Sequence, residues 1–184
     1  MSALERKRIV LGVSGSIAAY KAIYLLRLLT QGGAEVAPVL TRGAQRFVGA
    51  MSFSALAGRR AICDLWSAAE AGEVGHVETA HWAELMVIAP ASADAIARIA
   101  LGRADDPLAA IALSTSAPML LAPAMEDNMW HSPATQSHIK TLTDRGVTLF
   151  APESGALASG RDGSGRLADP EQIAAACVAM RTPD

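Results

Sequence analysis

Residues 8–33 have the sequence RIVLGVSGSIAAYKAIYLLRLLTQGG, and this stretch decides the fold. Its β-branched start, Arg8–Val13, predicts a buried strand that leads into a glycine-containing turn. Apolar residues at helical spacing then predict a helix over residues 16–31, which Gly32 and Gly33 end. A strand, a tight turn and a helix in this order begin an alternation that continues along the chain.

This alternation of strands and helices implies a parallel sheet covered on both faces. No linker, repeat or low-complexity segment divides the chain, so we expect one domain over residues 1–184. The further predicted elements are strands over residues 35–40, 85–89, 118–122 and 147–150, a short strand allowed over residues 61–65, helices over residues 47–56, 92–101 and 133–145, a glycine- and serine-rich loop over residues 155–166, and a last helix that starts at Pro170.

The composition excludes several classes of protein. Hydrophobic residues make up 51% of the 184 residues and charged residues 18%, which fits one domain with a sizeable core. A formal net charge of −2 gives no reason to expect nucleic-acid binding, and no apolar run approaches the roughly 20 residues of a membrane span. Cys63 and Cys177 have neither metal-ligand nor disulfide spacing, so we expect no metal and a reducing, cytoplasmic setting.

Two segments at predicted strand exits are candidates for a binding site. The turn at residues 12–17, GVSGSI, offers backbone N–H groups and serine hydroxyls that suit a phosphate, although a tight turn needs glycine in any case. Residues 123–130, PAMEDNMW, place two methionines and a tryptophan where exposed loops favour small polar residues. Apolar side chains here predict a pocket or a packed interface.

The segment PAMEDNMW closely resembles the Pro-X-Met-Asn-X-X-Met-Trp signature of the flavin-dependent cysteine decarboxylases. Residues 15–21, GSIAAYK, resemble the phosphopantothenoylcysteine decarboxylase branch of that family, and the likeness extends from residue 8 to about residue 178. The resemblance implies a Rossmann-like (flavodoxin-like) α/β fold, with three α/β/α layers around a central parallel sheet. It also implies FMN as cofactor and a homotrimer or homododecamer that holds FMN between neighbouring subunits.

The resemblance assigns cofactor contacts to residues 15–17, to residues 41–47 and to residues 89–95. The last of these segments, APASADA, resembles the family's Pro-Ala-Ser-Ala-Asn-Thr motif. Thr41 could equally cap the helix that follows it, and Ser92 and Asp94 could cap the next one, so capping and ligand contact both stay open. The implied FMN-binding residues are Gly15, Ser16, Ile17, Thr41, Phe47, Ser92, Asp94 and Met125.

The resemblance also implies catalytic and substrate-binding residues. His76, in GHVETAHWAE at residues 75–84, matches the family's active-site histidine and would act as a base, whereas a histidine before a helix could also be a cap. Glu126 replaces the family asparagine that holds the substrate carboxylate, and Ser159 replaces the cysteine implicated in the final reduction. The implied substrate-binding residues are Ala124, Met125, Glu126 and Met129.

The function implied is FMN-dependent decarboxylation of 4'-phosphopantothenoylcysteine to 4'-phosphopantetheine in coenzyme A biosynthesis. The flavin would oxidise the cysteine thiol end, CO2 would leave, and an enethiol intermediate would be reduced. A fused or separate phosphopantothenate–cysteine ligase is the implied partner. The alternatives are a peptidyl-cysteine oxidative decarboxylase that releases the enethiol, a flavin-binding homologue without catalysis and, last, a flavin prenyltransferase.

Overall fold

The central sheet contains five parallel strands, β1 (Arg8–Val13), β2 (Glu35–Leu40), β3 (Leu85–Ala91), β4 (Met119–Pro123) and β5 (Thr148–Leu149), in the order β2-β1-β3-β4-β5. The computed structural model describes residues 4–66 and 75–180. This strand order is that of the flavodoxin-like fold, in which connections leave in opposite directions on either side of β1 and β3 and open a crevice between them. The predicted Rossmann-like architecture is therefore confirmed.

Helices cover both faces of the sheet, as the alternation predicts. Because side chains alternate along a strand, Ile9 and Leu11 of β1 pack against one helix layer, while Val10 packs against the other. On the face of Ile9 lie α1 (Ala19–Gln31), α2 (Ala50–Ala57) and α8 (Pro170–Ala179). On the face of Val10 lie α3 (Gly75–Trp82), α4 (Ala93–Ala100), α5 (Pro107–Ser114) and α7 (Pro133–Asp144).

The amino edge of the sheet is closed by side chains. The Glu84 carboxylate accepts a hydrogen bond from the Arg8 backbone N–H at 2.9 Å, and this bond lowers the pKa of Glu84. Lys7 Nζ donates to the carbonyl oxygens of Cys177 (3.1 Å) and Met180 (2.5 Å) at the end of α8, and burial lowers the pKa of Lys7. These contacts join the start of β1 to the last helix.

Three predicted elements differ in the structure. Residues 155–166, predicted as a loop, contribute most of an antiparallel hairpin formed by β6 (Glu153–Ala156) and β7 (Asp162–Arg166). Residues 61–65 form only a single bridge, between Ile62 and Val39. The first helix begins at Ala19, because the preceding residues form a turn in which Ser16 Oγ accepts the Ala18 N–H.

Two short helices lie beside the sheet. The four-residue α6 (Asp127–Trp130) directly follows the turn after β4. Helix α5 was not predicted, since its sequence PLAAIALS is apolar all round and shows no period, and six of its eight residues are buried. In the two described ranges, no helix combines the length and the apolar character that crossing a membrane requires.

Candidate active site

A cleft of about 660 Å³ opens at the carboxyl edge of the sheet, where the connections that follow β1 and β3 leave in opposite directions. Its walls come from the start of α1, the turn after β3, the exit of β4 and the β6–β7 hairpin. Ligands of open α/β sheets bind at this kind of crevice. Eight residues implicated by the sequence line it together: Gly15, Ser16, Ile17, Ser92, Ala124, Met125, Glu126 and Met129.

A buried serine ties two of the cleft's turns together. Ser14 Oγ donates to the Pro90 carbonyl and accepts from the Ser92 N–H, both at 2.7 Å. The side chain is 1% exposed, so this hydroxyl has no water to replace those partners. Ser14 is one of the two serines of the turn at residues 12–17, and these two bonds use its hydroxyl, which therefore does not face a phosphate. The signal for this role is a hydroxyl directly after the apolar run of residues 9–13, where burial obliges it to find a partner.

Backbone segments after β1 and β2 meet beside the cleft. A Cβ atom on Gly15 would lie 3.1 Å from Gly43 Cα, so glycine lets the two turns approach. Thr41 Oγ1 accepts the Ala44 N–H at 3.1 Å, which is the capping role weighed for it, and Thr41 lies next to the cleft rather than in its lining. Ser92 Oγ likewise caps α4 by accepting the Ala95 N–H at 3.3 Å. Their contacts with a cofactor stay predictions.

The two departures from the family signature contact each other. Ser159 lies at the turn of the hairpin, and its Oγ donates to Glu126 Oε1 at 3.3 Å. Ser159 therefore reaches the cleft through Glu126, although it is not among the lining residues. In a sequence these positions are 33 residues apart, so their proximity is visible only in the fold.

Two cations in the cleft were not predicted as site residues. Lys21, on the first turn of α1, donates to the Leu167 carbonyl at 3.3 Å, and Arg166 pairs with Glu153 at 3.2 Å. Of the described residues that line the cleft, Lys21 and Arg166 are basic and Glu126 is acidic, so this lining carries two positive charges and one negative. This balance favours an anionic ligand. The signal for Lys21 was its place just after the glycine- and serine-rich turn.

Other predicted residues lie outside this cleft. His76 is half-buried on the first turn of α3, a helix that packs against α5. Phe47 is 50% exposed. Asp94 is exposed and pairs with Arg98 at 2.9 Å, and the carboxylates of Asp94 and Asp105 raise the pKa of Arg98. The structure does not bring these side chains to the cleft within one chain, and their roles stay predictions.

Neither Cys63 nor Cys177 lines the cleft. Burial raises the pKa of Cys177 to about 12, and Cys63 borders a second cavity of about 630 Å³ against α2, where burial also raises its pKa. No thiol occurs among the described residues that line the cleft at β1 and β3. Among residues 4–66 and 75–180, no group of three His, Cys, Asp or Glu side chains could hold a metal ion.

The cleft fits a planar cofactor that carries a phosphate. Helix α1 has 13 residues, no side-chain cap and no acidic residue in its first turn, so its N-terminal N–H groups are free of the competing carboxylate that would exclude an anion. The close approach of Gly15 to Gly43 leaves the backbone uncovered by side chains at this point. Ile17, Met125 and Met129 supply apolar surface for a ring system.

Known proteins are similar to this chain in sequence and in fold. Residues 1–182 match the sequence model of the Flavoprotein family. The coenzyme A biosynthesis bifunctional protein CoaBC of Haemophilus influenzae is 46% identical over 170 residues, which are 92% of this chain and 42% of that protein. The chain thus spans less than half the length of this curated relative.

Two solved structures agree along almost the whole chain. A cysteine-to-serine mutant of PPC decarboxylase complexed with pantothenoylaminoethenethiol has a TM-score of 0.85 and 34% identity, covering 94% of this chain and 97% of that one. The FMN binding protein AtHal3 has a TM-score of 0.82 and 31% identity, covering 94% and 95%. On the family match and these identities, the chain belongs to the Flavoprotein family.

Proposed function

We propose that this chain decarboxylates 4'-phosphopantothenoylcysteine to 4'-phosphopantetheine in an FMN-dependent reaction of coenzyme A biosynthesis. The observation that carries the proposal is the cleft at the carboxyl ends of β1 and β3, in which the glycine–serine turn, the β4 exit and two cations converge. The similarity to a coenzyme A biosynthesis protein and to PPC decarboxylase supports it. We further propose that residues 1–184 act as one decarboxylase domain in the cytoplasm.

The proposed cofactor site uses backbone and apolar groups. Gly15, Ser16 and Ile17 would hold the FMN phosphate at the start of α1, where N–H groups and the Ser16 hydroxyl are available. Ser92 and Met125 would contact the ring from the β3 and β4 exits. When bound, FMN supplies the redox chemistry of the cysteine thiol end.

The substrate would lie between the cations and the β4 exit. Lys21 and Arg166 suit the anionic groups of a phosphorylated substrate, and Ala124 and Met129 bound the apolar part of the cleft. The Glu126 carboxylate can approach a substrate carboxylate only if a proton or a hydrogen-bond donor offsets the repulsion, and the Ser159 hydroxyl supplies such a donor. The hairpin would exclude water from the reacting end.

In this proposal, the predicted site residues that lie outside the cleft contact FMN only when a second subunit is present. His76, Phe47 and Thr41 lie outside the cleft of their own chain, and we propose that a homotrimer, alone or within a dodecamer, brings such residues to FMN held between neighbouring subunits. A His76→Asn variant should lose turnover and keep bound FMN. The matched control is His81→Asn, which changes an exposed histidine on the same helix.

The direct test is turnover of phosphopantothenoylcysteine by the purified FMN-loaded protein, followed by mass spectrometry. A product about 44 mass units lighter, the loss of CO2, would support the proposal. Stoichiometric FMN without any product would overturn it and favour a flavin protein that has lost catalysis. A peptide that ends in cysteine, supplied in parallel, tests whether the acyl part of the substrate has been misassigned.

A second candidate is decarboxylation that stops at the enethiol. The observation in its favour is that Ser159 at the hairpin tip contacts Glu126, while no described residue lining the cleft has a thiol. The PPC decarboxylase structure that carries a cysteine-to-serine change was solved with an enethiol compound. This outcome needs dioxygen as electron acceptor and yields a product about 46 units lighter than the substrate, and Ser159→Cys would shift it to about 44.

A further inference from the structure

We propose that Asp127 is a positioning residue that anchors the base of the β6–β7 hairpin and so holds one wall of the cleft in place. Its catalytic consequence depends on the proposed decarboxylation, whereas the anchoring itself does not. Asp127 occupies a position that the family signature leaves unspecified and that sequence analysis assigned no role. The structure places it between the β4 exit and strand β7.

Two hydrogen bonds attach β7 to the turn that carries Asp127. The Ser164 N–H donates to Asp127 Oδ1 at 2.7 Å, and the Met125 N–H donates to the Gly165 carbonyl at 2.9 Å. A carboxylate that accepts a backbone N–H at this distance forms a charge-assisted bond, roughly twice as strong as a neutral one. The side chain of Asp127 is 38% exposed, so part of this interaction is shielded from water.

The glycines around Ser164 allow β7 to lie directly on this turn. A Cβ atom on Gly163 would lie 2.7 Å from Asp127 Cβ, which a side chain does not tolerate. Gly165 has φ of +131° and a Cβ there would overlap the Met125 carbonyl oxygen. The Gly-Ser-Gly sequence of the hairpin therefore matches the shape of the turn at Met125 and Asp127.

The base and the tip of the hairpin are held differently. At the tip, the hydroxyl of Ser159 reaches Glu126 at 3.3 Å and is exposed to solvent. At the base, Asp127 makes a shorter bond to a backbone donor next to two close backbone contacts. The tip can separate from Glu126 while the base stays attached, which makes Asp127 the fixed end of the hairpin.

The anchored strand continues into the cleft wall. Gly165 and Arg166 both line the cleft, one and two residues beyond the Ser164 N–H that Asp127 accepts. Loss of the anchor should displace Arg166, the cation proposed for the substrate anion. The flavin cradle at Gly15 and Ser16 belongs to other turns and should be unaffected.

Trypsin provides a test that is independent of activity. Arg161 lies exposed in the hairpin turn, where its carbonyl accepts the Leu157 N–H at 2.8 Å, and cleavage there requires the hairpin to open. In the FMN-loaded protein we expect Asp127→Ala to be cleaved after Arg161 about tenfold faster than the native chain. Asp127→Asn should be cleaved within about threefold of the native rate, because its amide oxygen still accepts the Ser164 N–H, although the bond loses its charge.

Two further variants separate anchoring from charge and from general loss of stability. Asp127→Glu keeps the negative charge that faces His131 Nε2 at 3.5 Å but displaces the carboxylate toward Gly163, so it should behave like Asp127→Ala. Asp144→Ala removes a carboxylate paired with Lys140 on α7 and is the matched control with native cleavage. Should Asp127→Ala fail to fold, the comparison of Asp127→Glu with Asp127→Asn decides the question.

Kinetics complete the test with a readout that instability alone would not produce. Asp127→Ala should raise KM for phosphopantothenoylcysteine about tenfold, with kcat within about threefold and FMN per subunit unchanged, and Asp127→Asn should restore KM. Equal cleavage of Asp127→Ala and the native chain would overturn the anchor, as would Asp127→Asn matching Asp127→Ala. If the native protein shows no turnover, the proposed function fails and the cleavage rates still judge the anchor.

Discussion

The two edges of the parallel sheet end in different ways. At the amino edge, the Glu84 carboxylate accepts the Arg8 N–H and Lys7 donates to carbonyls at the end of α8. Side chains therefore make the hydrogen bonds of these backbone groups. At the carboxyl edge, glycine and serine turns leave a cleft, and the buried Ser14 joins two of the turns from below. We infer that changes at the amino edge alter stability alone, whereas changes at the carboxyl edge alter binding or turnover.

The largest effect at the carboxyl edge should come from Gly165→Ala. The new methyl group would overlap the Met125 carbonyl oxygen at a φ of +131°, which displaces β7 from the turn. We expect kcat/KM for phosphopantothenoylcysteine to fall about 100-fold, because small misplacements of a substrate-positioning wall have effects of this size. Product formation and flavin absorbance measured on the same sample check this, and flavin should be retained.

Gly160→Ala is the matched control for that change. Gly160 also has a positive φ, +80°, but a Cβ there meets no atom within 4 Å. It therefore has the conformational strain, about 1 kcal/mol, without the collision. If both variants lose turnover equally, strain in the hairpin and not its seat on Met125 explains the effect.

The second effect concerns the tie beneath the cleft. Ser14→Ala removes two hydrogen bonds, one from the half-buried Ser92 N–H and one to the Pro90 carbonyl, and at about 1 kcal/mol for each we expect the free energy of unfolding to fall by about 2 kcal/mol. The turn after β3 should also shift, weakening FMN binding about tenfold. Urea unfolding and flavin titration measure the two results. Ser137→Ala, on the exposed face of α7, is the control and should change neither.

The sheet of this molecule was predictable because burial dictates its sequence. Strand β1 is an apolar run after Arg8, its residues from Ile9 to Val13 are all buried, and its bounds agree with the prediction. Eight of the predicted site residues share the cleft because each follows a strand, and the carboxyl ends of parallel strands lie together.

The hairpin was not predictable for a physical reason. Its strands consist largely of Gly, Ser and charged residues, so no alternation of apolar and polar side chains marks them. Strand β7 pairs with β6, and what holds it beside the cleft is contact with Asp127 and Met125, more than 35 residues away. His76 shows a related limit of sequence-based prediction. Its local motif predicts a functional histidine but does not show which cleft the side chain faces.

The third effect tests the amino edge through pH. The Arg8 N–H lowers the pKa of Glu84, so its contribution to stability is present above the unfolded-state value, about 4.3, and is lost as pH falls through the lower folded value. Glu84→Gln should therefore be about 1 kcal/mol less stable at pH 7, with the difference shrinking below about pH 4. Unfolding at several pH values measures it, beside Glu78→Gln on the exposed side of α3.

Glu84→Gln must also leave the cleft unchanged. The length of β1 and β3 separates the two edges of the sheet. We therefore expect the loss of the Glu84 carboxylate to leave the positions of Gly15 and Ser92 unchanged. FMN affinity and turnover of the folded variant should match the native protein. Weaker FMN binding by Glu84→Gln would show that the two edges are coupled through the sheet.

The smallest effect should come from Asp94→Asn, a change at the carboxyl edge itself. Asp94 was predicted to contact FMN, yet its carboxylate is 73% exposed and pairs with Arg98, one turn along α4. An exposed pair of this spacing contributes about 0.3–0.5 kcal/mol, so stability should hardly change. FMN affinity should stay within about twofold in a flavin titration, whereas Ser92→Ala, two residues earlier and in the cleft lining, should weaken it more. A tenfold loss on Asp94→Asn would place this carboxylate in the flavin site of an assembled oligomer, and the boundary of the functional edge would then include α4.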